Sequence, residues 1–324
     1  MADKNRCIYV FINGDRCPGE IFEDDEYCYW HSEKASKKGV DVKSELEKKI
    51  KNDELIEGYQ LSNANLEGGK FIKANLKNVN LSRANLKNGS LFGVDLEGAN
   101  LFKADFENAN LKSANLAMAD LLGTKLDRSK LERIDLGRGS IIINELEGDE
   151  AKHKGNIHRA NEKYLEAEEI YRNIKNNFKN QGLTSEGGDF FYREMIVKRK
   201  MMPYWSFQRF WSKMIDFACG YGEKPYKIIS FSLIFQFIHA IIFAMIGISY
   251  GDSIIRWSFS KSLIENLDVL SKCFYFSVVT YATLGYGEML PTGIGRYFAI
   301  NETFWGAFLI SLFVITIYKK MMDR

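Results

Sequence analysis

Histidine is scarce in this sequence, with only four residues in a chain of 324. His153 and His158 fall in a polar stretch and His239 lies inside an apolar run, so none of them completes a catalytic pattern with a nucleophile and an acid. The chain also lacks a glycine-rich phosphate loop, a dinucleotide fingerprint and a calcium loop. We therefore expect that the protein is not an enzyme.

The chain also has little net charge, +2 at pH 7, and no apolar stretch near its start, MADKNRC. The second absence argues against a signal peptide, so we expect the mature chain to keep its first residues. A length of 324 residues favours two or three domains. The average composition therefore conceals parts with different character.

Two long apolar runs stand near the C-terminus. Ile228 to Ile248 contains no formal charge and would span roughly 30 Å as a helix, which matches a bilayer core. Tyr297 to Tyr318 is long enough to do the same, with Asn301 and Glu302 near its start. Between them, Cys273 to Ala282 is apolar but too short to cross. The pattern predicts two membrane spans and one re-entrant helix.

Positive charge flanks these runs on one side. Lys224 and Lys227 precede the first run, and Lys319, Lys320 and Arg324 follow the second, while residues 249 to 296 are balanced. An excess of positive charge marks cytoplasmic flanks, so we expect both termini to be cytoplasmic in a multi-pass protein of the cell (plasma or inner) membrane. The spans carry too few charges for a voltage sensor.

The string Gly-Tyr-Gly-Glu occurs twice, at 220 to 223 and at 285 to 288. A potassium filter lines up backbone carbonyls that replace the hydration shell of the ion, so it must sit at membrane depth inside protein. Only the second copy lies between the two spans. The first copy precedes the first span, and we interpret residues 220 to 225, ending at Pro225, as a bend into it.

The stretch Thr280 to Glu288, TYATLGYGE, followed by Pro291, resembles the pore of the two-span potassium channels over residues 227 to 320. The resemblance implies a homotetramer that conducts K⁺, with Glu288 at the outer mouth and Tyr286 packed behind the filter. The implied selectivity filter comprises Thr283, Leu284, Gly285, Tyr286 and Gly287. Val279 occupies a place where some members carry a buried carboxylate, and Ala282 replaces a frequent Thr. We therefore expect filter stability and inactivation, more than selectivity, to depart from those of the family.

Three residues within the spans leave alternatives open. Gly306 is either a gate hinge in the second span or a small residue that allows close helix packing. Glu302 needs a partner inside the membrane, which is either Arg296 or a neighbouring filter loop. His239 is either a proton-sensitive site or a packing residue.

Residues 61 to 136 show a period of five, which fits neither a helix nor a strand. Leu or Phe occupies every fifth position from Leu61 to Leu136, sixteen times out of sixteen, and a small residue usually stands two places earlier. This resembles the pentapeptide-repeat family, which implies a right-handed quadrilateral β-helix with four repeats per coil. Sixteen repeats then make a rod of roughly 20 Å. Asn and Asp before many Leu positions suit tight turns.

The rod carries nine acids and eleven bases, which argues against DNA mimicry, and we do not expect a nucleic acid partner. A rigid spacer, an assembly surface for an unidentified cytosolic partner or ligand, and a sensor head remain alternatives.

Before the rod, Cys7, Cys17, Cys28 and His31 lie within 25 residues. Four such ligands in a cytosolic segment favour a closed tetrahedral Zn²⁺ site over disulfides. Buried free thiols and a redox switch are the alternatives. The unit resembles small zinc-finger modules.

The remaining segments have helical patterns. Asp41 to Glu57 is predicted to cap the open end of the rod. Asn156 to Asn180 and Asp189 to Met202 predict a two-helix hairpin, with a break from Gly182 to Gly188. Trp205 to Phe217, aromatic with interspersed basic residues, predicts an interfacial helix.

The sequence thus predicts a multidomain membrane protein that is a homotetrameric, potassium-selective channel with a cytosolic arm regulating gating or assembly. A nonselective cation channel and a membrane-anchored scaffold are the alternatives. The predicted parts are a zinc-binding module (1–40), a capping helix (41–60), a pentapeptide-repeat β-helix (61–140), a helical hairpin linker (141–203), an interfacial helix with elbow (204–226) and a two-span α-helical pore (227–324).

Overall fold

The computed structural model describes residues 5–39, 41–251 and 253–322. The first four residues and residue 40 of the predicted zinc-binding module, and Arg324 at the end of the predicted pore, lie outside that range. The chain divides into two compact units, Met1–Pro203 and Tyr204–Arg324. Each unit is described by itself.

The first unit is built around a β-helix. All sixteen Leu and Phe residues of the five-residue series are at most 3% exposed, because they fill the interior of the coils. Parallel bridges join residues that are twenty apart, from Gln60 with Asn80 to Asn115 with Asp135. Twenty residues make four repeats, so the predicted four-sided coil is confirmed.

Each of the first fifteen repeats turns at a residue with positive φ. The residue two places after each buried Leu or Phe has this conformation at all fifteen turns from Asn63 to Arg133. The Asn and Asp residues before the buried positions support these turns; Asn80 Oδ1, for example, accepts from the backbone N–H of Ser82 at 3.1 Å. Their predicted role in tight turns is confirmed.

Helix α1, Asp41–Lys51, covers the N-terminal end of the β-helix. Its Val42 and Leu46 are buried in the same apolar cluster as the interior of the coils. The helix is shorter than predicted because Asp53, with φ of 54°, turns the chain out of the helical conformation.

The C-terminal side of the first unit has three helices, α2 (Ile143–His153), α3 (Ile157–Asn180) and α4 (Thr184–Met201). The predicted two-helix hairpin was therefore incomplete. Sequence periodicity missed α2 because its buried face is largely polar or small, consisting of Asn144, Glu145, Gly148 and Ala151.

The predicted break at residues 182 to 188 is also too long, since α4 already begins at Thr184. Gly187 and Gly188 are buried in this helix. A Cβ on Gly187 would lie 3.3 Å from the Cβ of Phe178 in α3, so the glycine allows close packing of the two helices.

Helix α3 also closes the last coil of the β-helix. Asn173 donates a hydrogen bond to the Thr124 carbonyl at 2.6 Å, and Gln181, directly after the helix, donates to the Ser129 carbonyl at 2.8 Å. These side chains occupy backbone acceptors that a further coil would otherwise take.

The second unit contains α5 (Phe207–Cys219), α6 (Pro225–Ile246), α7 (Leu263–Tyr281) and α8 (Gly295–Met322). Two helices, Pro225–Ile246 and Gly295–Met321, are long and apolar enough to cross a membrane. They correspond to the two predicted spans.

Helix α7 begins ten residues before the predicted start at Cys273. A capping box between Ser262 and Glu265 starts it, and an ion pair of 2.7 Å joins Asp268 to Lys272 on its exposed side. These charged residues interrupt the apolar run but not the helix, which explains the difference.

A small antiparallel sheet was not predicted. Strand β1 (Ile248–Tyr250) lies between β2 (Ser253–Ile255) and β3 (Met289–Pro291). The sheet therefore ties the chain after α6 to the chain just before α8. Strands of three residues are too short to produce a recognisable alternation.

Candidate pore loop and candidate metal centre

The loop after α7 has an alternating backbone conformation. Thr283, Gly285 and Gly287 have φ of 57°, 57° and 86°, whereas the residues between them do not have positive φ. Glycine adopts this conformation without strain, while Thr283 does so at a cost. The sequence therefore has glycine at two of the three positions that need it.

This loop has few neighbours within one chain. Leu284 and Tyr286 are 57% and 63% exposed, and a Cβ built on Gly285 or Gly287 would meet nothing within 4 Å. Glu288, directly after the loop, accepts a hydrogen bond from the hydroxyl of Tyr275 in α7. The loop is thus fastened at its C-terminal end and open along its length.

Glu302 of α8 is wholly buried. Its Oε1 accepts from the hydroxyl of Ser277 in α7, a hydroxyl that also lies 2.9 Å from the Gln236 carbonyl oxygen of α6. The partner within the chain is therefore Ser277, which sequence reasoning missed, and not Arg296. A single hydroxyl donates one hydrogen, so it serves one of the two acceptors at a time.

Gly306 lies against the last residue of α7. A Cβ at this position would collide with the carbonyl oxygen of Tyr281 and lie 3.0 Å from its carbonyl carbon. The glycine therefore allows the backbones of α7 and α8 to touch at the C-terminal end of α7. This contact fits the close-packing interpretation of Gly306, and the hinge stays a prediction.

His239 is buried in α6, and its Nδ1 lies 3.0 Å from the Phe235 carbonyl oxygen. The rings of Phe235, Phe243 and Phe298 surround it. These contacts fit a packing residue.

The first Gly-Tyr-Gly-Glu string lies between α5 and α6. Gly220 caps α5 with φ of 55°, residues Gly220–Gly222 form one 3-10 turn, and Pro225 is at the start of α6. The buried Glu223 pairs with Lys319 in the last turn of α8. Because these two residues are 96 positions apart, no sequence pattern signals the pair.

The N-terminal cluster brings all four predicted ligands together. Cys7, Cys17, Cys28 and His31 are buried, and their ligand atoms all lie within 4.8 Å of one another. His31 Nδ1 is 3.6 Å from Cys7 Sγ and 3.3 Å from Cys28 Sγ, and the Cys17 and Cys28 sulfurs are 3.8 Å apart. A tetrahedral zinc site with its usual bond lengths has ligand separations of about 3.5–3.8 Å. The cluster could therefore hold a metal ion.

The surroundings fix the orientation of the histidine. His31 Nε2 lies 3.0 Å from the Glu57 carbonyl oxygen, and the ring stacks on Tyr9 at 3.9 Å. This leaves Nδ1 directed at the sulfurs, and a hydrogen-bonded second nitrogen is the usual arrangement for a metal-binding histidine.

The thiols of the cluster differ in acidity. A hydrogen bond from Cys17 lowers the pKa of Cys28 to about 3, which favours its thiolate form. Burial raises the pKa of Cys7. A thiolate is the form that binds a metal ion.

Comparisons with family models give two matches. A model described as pentapeptide repeats (8 copies) matches residues 60–98 and 95–133, and a model described as ion channel matches residues 226–323. No curated protein matches the chain.

Among solved structures, three pentapeptide repeat proteins are similar to part of the chain. The first, from the cyanobacterium Cyanothece 51142, is 36% identical over 25% of this chain and 54% of its own, with a TM-score of 0.25. One from Nostoc PCC 7120 is 32% identical over 29% of this chain and 75% of its own, with a TM-score of 0.26. One from the Arabidopsis thaliana thylakoid lumen is 30% identical over 23% of this chain and 49% of its own, with a TM-score of 0.15.

The chain spans about half the length of the first of these structures. The two family matches fall on the two units separately, one on the β-helix and the other on α6 to α8. The chain therefore carries pentapeptide repeats followed by an ion-channel domain.

Proposed function

We propose that the protein is a potassium-selective channel that assembles as a homotetramer in the cell membrane, with both termini in the cytoplasm. The observation that carries this proposal is the Thr283 to Gly287 loop, which lies between α7 and α8 inside the region matched by the ion-channel model. Its TLGYG sequence combines with positive φ at alternate residues.

Alternating backbone conformations support a filter because they turn successive carbonyl groups towards one side. Carbonyl oxygens on a common axis replace the hydration shell of K⁺. In this proposal Thr283, Leu284, Gly285, Tyr286 and Gly287 supply these oxygens, and Glu288 lies at the outer mouth. Helix α7 ends at Tyr281, so the partially negative end of its dipole is next to the ion path.

A tetramer follows from the number of loops. One chain contributes a single loop, and a cage of carbonyls around an ion requires four of them about a symmetry axis. The exposure of Leu284 and Tyr286 in the single chain supports this step, since neighbouring subunits would cover them.

The cytosolic arm regulates gating or assembly in this proposal. Helix α5 presents exposed aromatic residues, including Phe207, Phe210 and Trp211, as expected of a helix at a membrane interface. The Glu223 to Lys319 pair links the bend after α5 with the end of α8. A movement of the arm would thereby reach the inner end of the pore.

The test of the channel is ion flux through the purified protein in liposomes. We expect K⁺ to pass far better than Na⁺. Equal permeability would favour the nonselective cation channel, and an absence of flux under all conditions would favour the scaffold.

The duplicated string supplies a matched control for this test. Gly287 and Gly222 have φ of 86° and 80°, and a Cβ on either would meet nothing within 4 Å. Gly287→Ala should abolish K⁺ selectivity, because alanine resists the required conformation. Gly222→Ala imposes similar backbone strain outside the pore and should keep selectivity. Equal loss in both variants would contradict the filter assignment.

We further propose that Cys7, Cys17, Cys28 and His31 hold a structural Zn²⁺. The charges and geometry of three thiols and one imidazole suit zinc. Cys28→Ser should lose the bound zinc measured by elemental analysis, whereas Cys219→Ser, a buried cysteine outside the cluster, should keep it. Zinc-free wild-type protein would contradict the proposal.

A further inference from the structure

The coil geometry sorts the charges of the β-helix by side. One side consists of residues 70–74, 90–94, 110–114 and 130–134, stacked by the bridges Lys70 with Ser90, Ser90 with Asn110, and Asn110 with Lys130. We call it the basic face. It contains one acid, Glu132, and the bases Lys70, Lys73, Lys112, Lys130 and Arg133. The rest of the 61–136 segment has six bases and eight acids, so positive charge is concentrated on one side.

The cations of the basic face are not neutralised as those of the two adjacent sides of the rod are. On other sides Lys77 pairs with Glu97 and Lys87 with Glu107, both at 2.8 Å. Within the part of the chain that the structure describes, no ion pair involves the five bases of the basic face. The nearest capping acid, Glu47 of α1, accepts from the backbone N–H of Lys70 at 2.8 Å.

The basic face also exposes apolar side chains. Ile72 and Phe92 are 52% and 36% exposed, and they lie on successive coils, about 4.8 Å apart. Cations alone would suit any polyanion, including nucleic acid. Apolar groups among the cations instead favour a surface that is anionic and also accepts apolar side chains.

We propose that the basic face binds the surface of an anionic lipid bilayer. Anionic lipids are concentrated in the cytoplasmic leaflet, where juxtamembrane basic segments bind them. This step depends on the proposed function, which places the arm in the cytoplasm beside that leaflet. Because the chain carries two candidate membrane spans, the arm is tethered near the bilayer, and weak intrinsic affinity is sufficient for binding.

The experiment uses the full chain in liposomes of phosphatidylcholine, with or without phosphatidylserine. A fluorophore is attached at Ser90→Cys on the basic face, or at Ser82→Cys on the opposite side, and is quenched by lipids labelled in the headgroup. The native cysteines are buried, which directs labelling to the introduced thiol. We expect strong quenching at position 90 only with phosphatidylserine, reversal by high salt, and little quenching at position 82.

Two charge-reversed variants test the face itself. Lys73→Glu with Arg133→Glu changes the basic face, and Arg83→Glu with Lys103→Glu changes the opposite side. All four residues are exposed at turns with φ between 54° and 60°. In the first variant, the quenching that depends on phosphatidylserine should fall by at least about tenfold. In the second variant, this quenching should stay unchanged.

Several outcomes would overturn the proposal. These are equal quenching in phosphatidylcholine alone, equal quenching at positions 82 and 90, and equal loss in both charge-reversed variants. Displacement of the label from lipid by duplex DNA or polyglutamate at low concentration would assign the face to another polyanion. Ion flux measured in the same liposomes tests the pore independently, so failure of lipid binding and failure of the channel are distinguishable.

Discussion

Single residues connect the helices of the channel domain through polar contacts. Ser277 of α7 is wholly buried, and its hydroxyl is the partner of Glu302 in α8. The second carboxylate oxygen of Glu302 has no partner among the described residues. The hydroxyl of Ser277 is therefore the one hydrogen-bond donor to the buried Glu302 carboxylate among the described residues.

Ser277→Ala should destabilise the channel domain, because it removes the donor and leaves the buried carboxyl of Glu302 unsatisfied. We expect a loss of about 1–3 kcal/mol. The matched control is Ser311→Ala in α8, whose exposed hydroxyl only donates to the Ala307 carbonyl one turn earlier. Thermal unfolding of the purified protein in detergent measures both. Equal effects would show that the contact with Glu302 contributes nothing.

At the scale of elements, the β-helix depends on one residue with a left-handed backbone conformation, that is, with positive φ, at each turn between repeats. Gly68 has this conformation, with φ of 68°, and no atom lies within 4 Å of the place that a Cβ would take. Met118 has the same conformation, with φ of 58°, although it carries a side chain. The intrinsic cost for a residue other than glycine is about 1–2 kcal/mol.

Opposite substitutions at these two turns should therefore have opposite effects. Gly68→Ala should lower the free energy of unfolding by about 1 kcal/mol, and Met118→Gly should raise it by a smaller amount, since glycine also increases the entropy of the unfolded chain. Chemical denaturation followed by circular dichroism measures both. A stabilising Gly68→Ala would contradict the strain argument.

The pair between Glu223 and Lys319 joins the bend before α6 to the end of α8. If this link sets the position of α8, Glu223→Gln and Lys319→Gln should change the open probability in the same direction. The double variant should add nothing beyond either single change, because both remove one interaction. Lys320→Gln, the next residue, is the control in single-channel records. Additive effects would argue against the link.

At the scale of the whole molecule, the first unit closes its own apolar core. The cluster runs without interruption from Val42 in α1, through the interior of the β-helix, to Val197 in α4. Both ends of the rod are covered by helices of the same unit. Among the described residues, every member of this cluster belongs to the first unit.

Residues 1–203 expressed alone should therefore be soluble and should unfold in one cooperative transition. Size-exclusion chromatography and thermal circular dichroism measure this. Deleting α2 to α4 from the same fragment should cause aggregation, because it exposes the last coil. A fragment that aggregates with the helices present would contradict the prediction.

Much of this architecture was accessible from the sequence, for reasons visible in particular residues. The β-helix was predicted because each inward position needs a large apolar side chain, so the five-residue series from Leu61 to Leu136 records the fold directly. The spans were predicted because apolar length is itself the requirement for crossing a bilayer. Helix α2 was missed because its buried Asn144 and Glu145 give no apolar stripe.

The candidate sites also contain some features that the sequence predicted and others that only the structure shows. The four cysteine and histidine ligands and the TLGYG string were chosen by residue type and local spacing, and tertiary structure brings the four ligands together as expected. The contacts of Glu302 with Ser277 and of Glu223 with Lys319 join residues 25 and 96 positions apart. No local pattern encodes them, because they depend on which helices pack together.

The sequence by itself determined the repeating coil, the two apolar spans and the different contexts of the two Gly-Tyr-Gly-Glu strings. Each of these is a local property of composition or period. Only the tertiary structure decided that five cations on one side of the rod have no ion-pair partner among the described residues, that Gly306 touches the end of α7, and that the first string is linked to the end of α8. The reason is physical, since these features depend on the distance between segments that are remote along the chain.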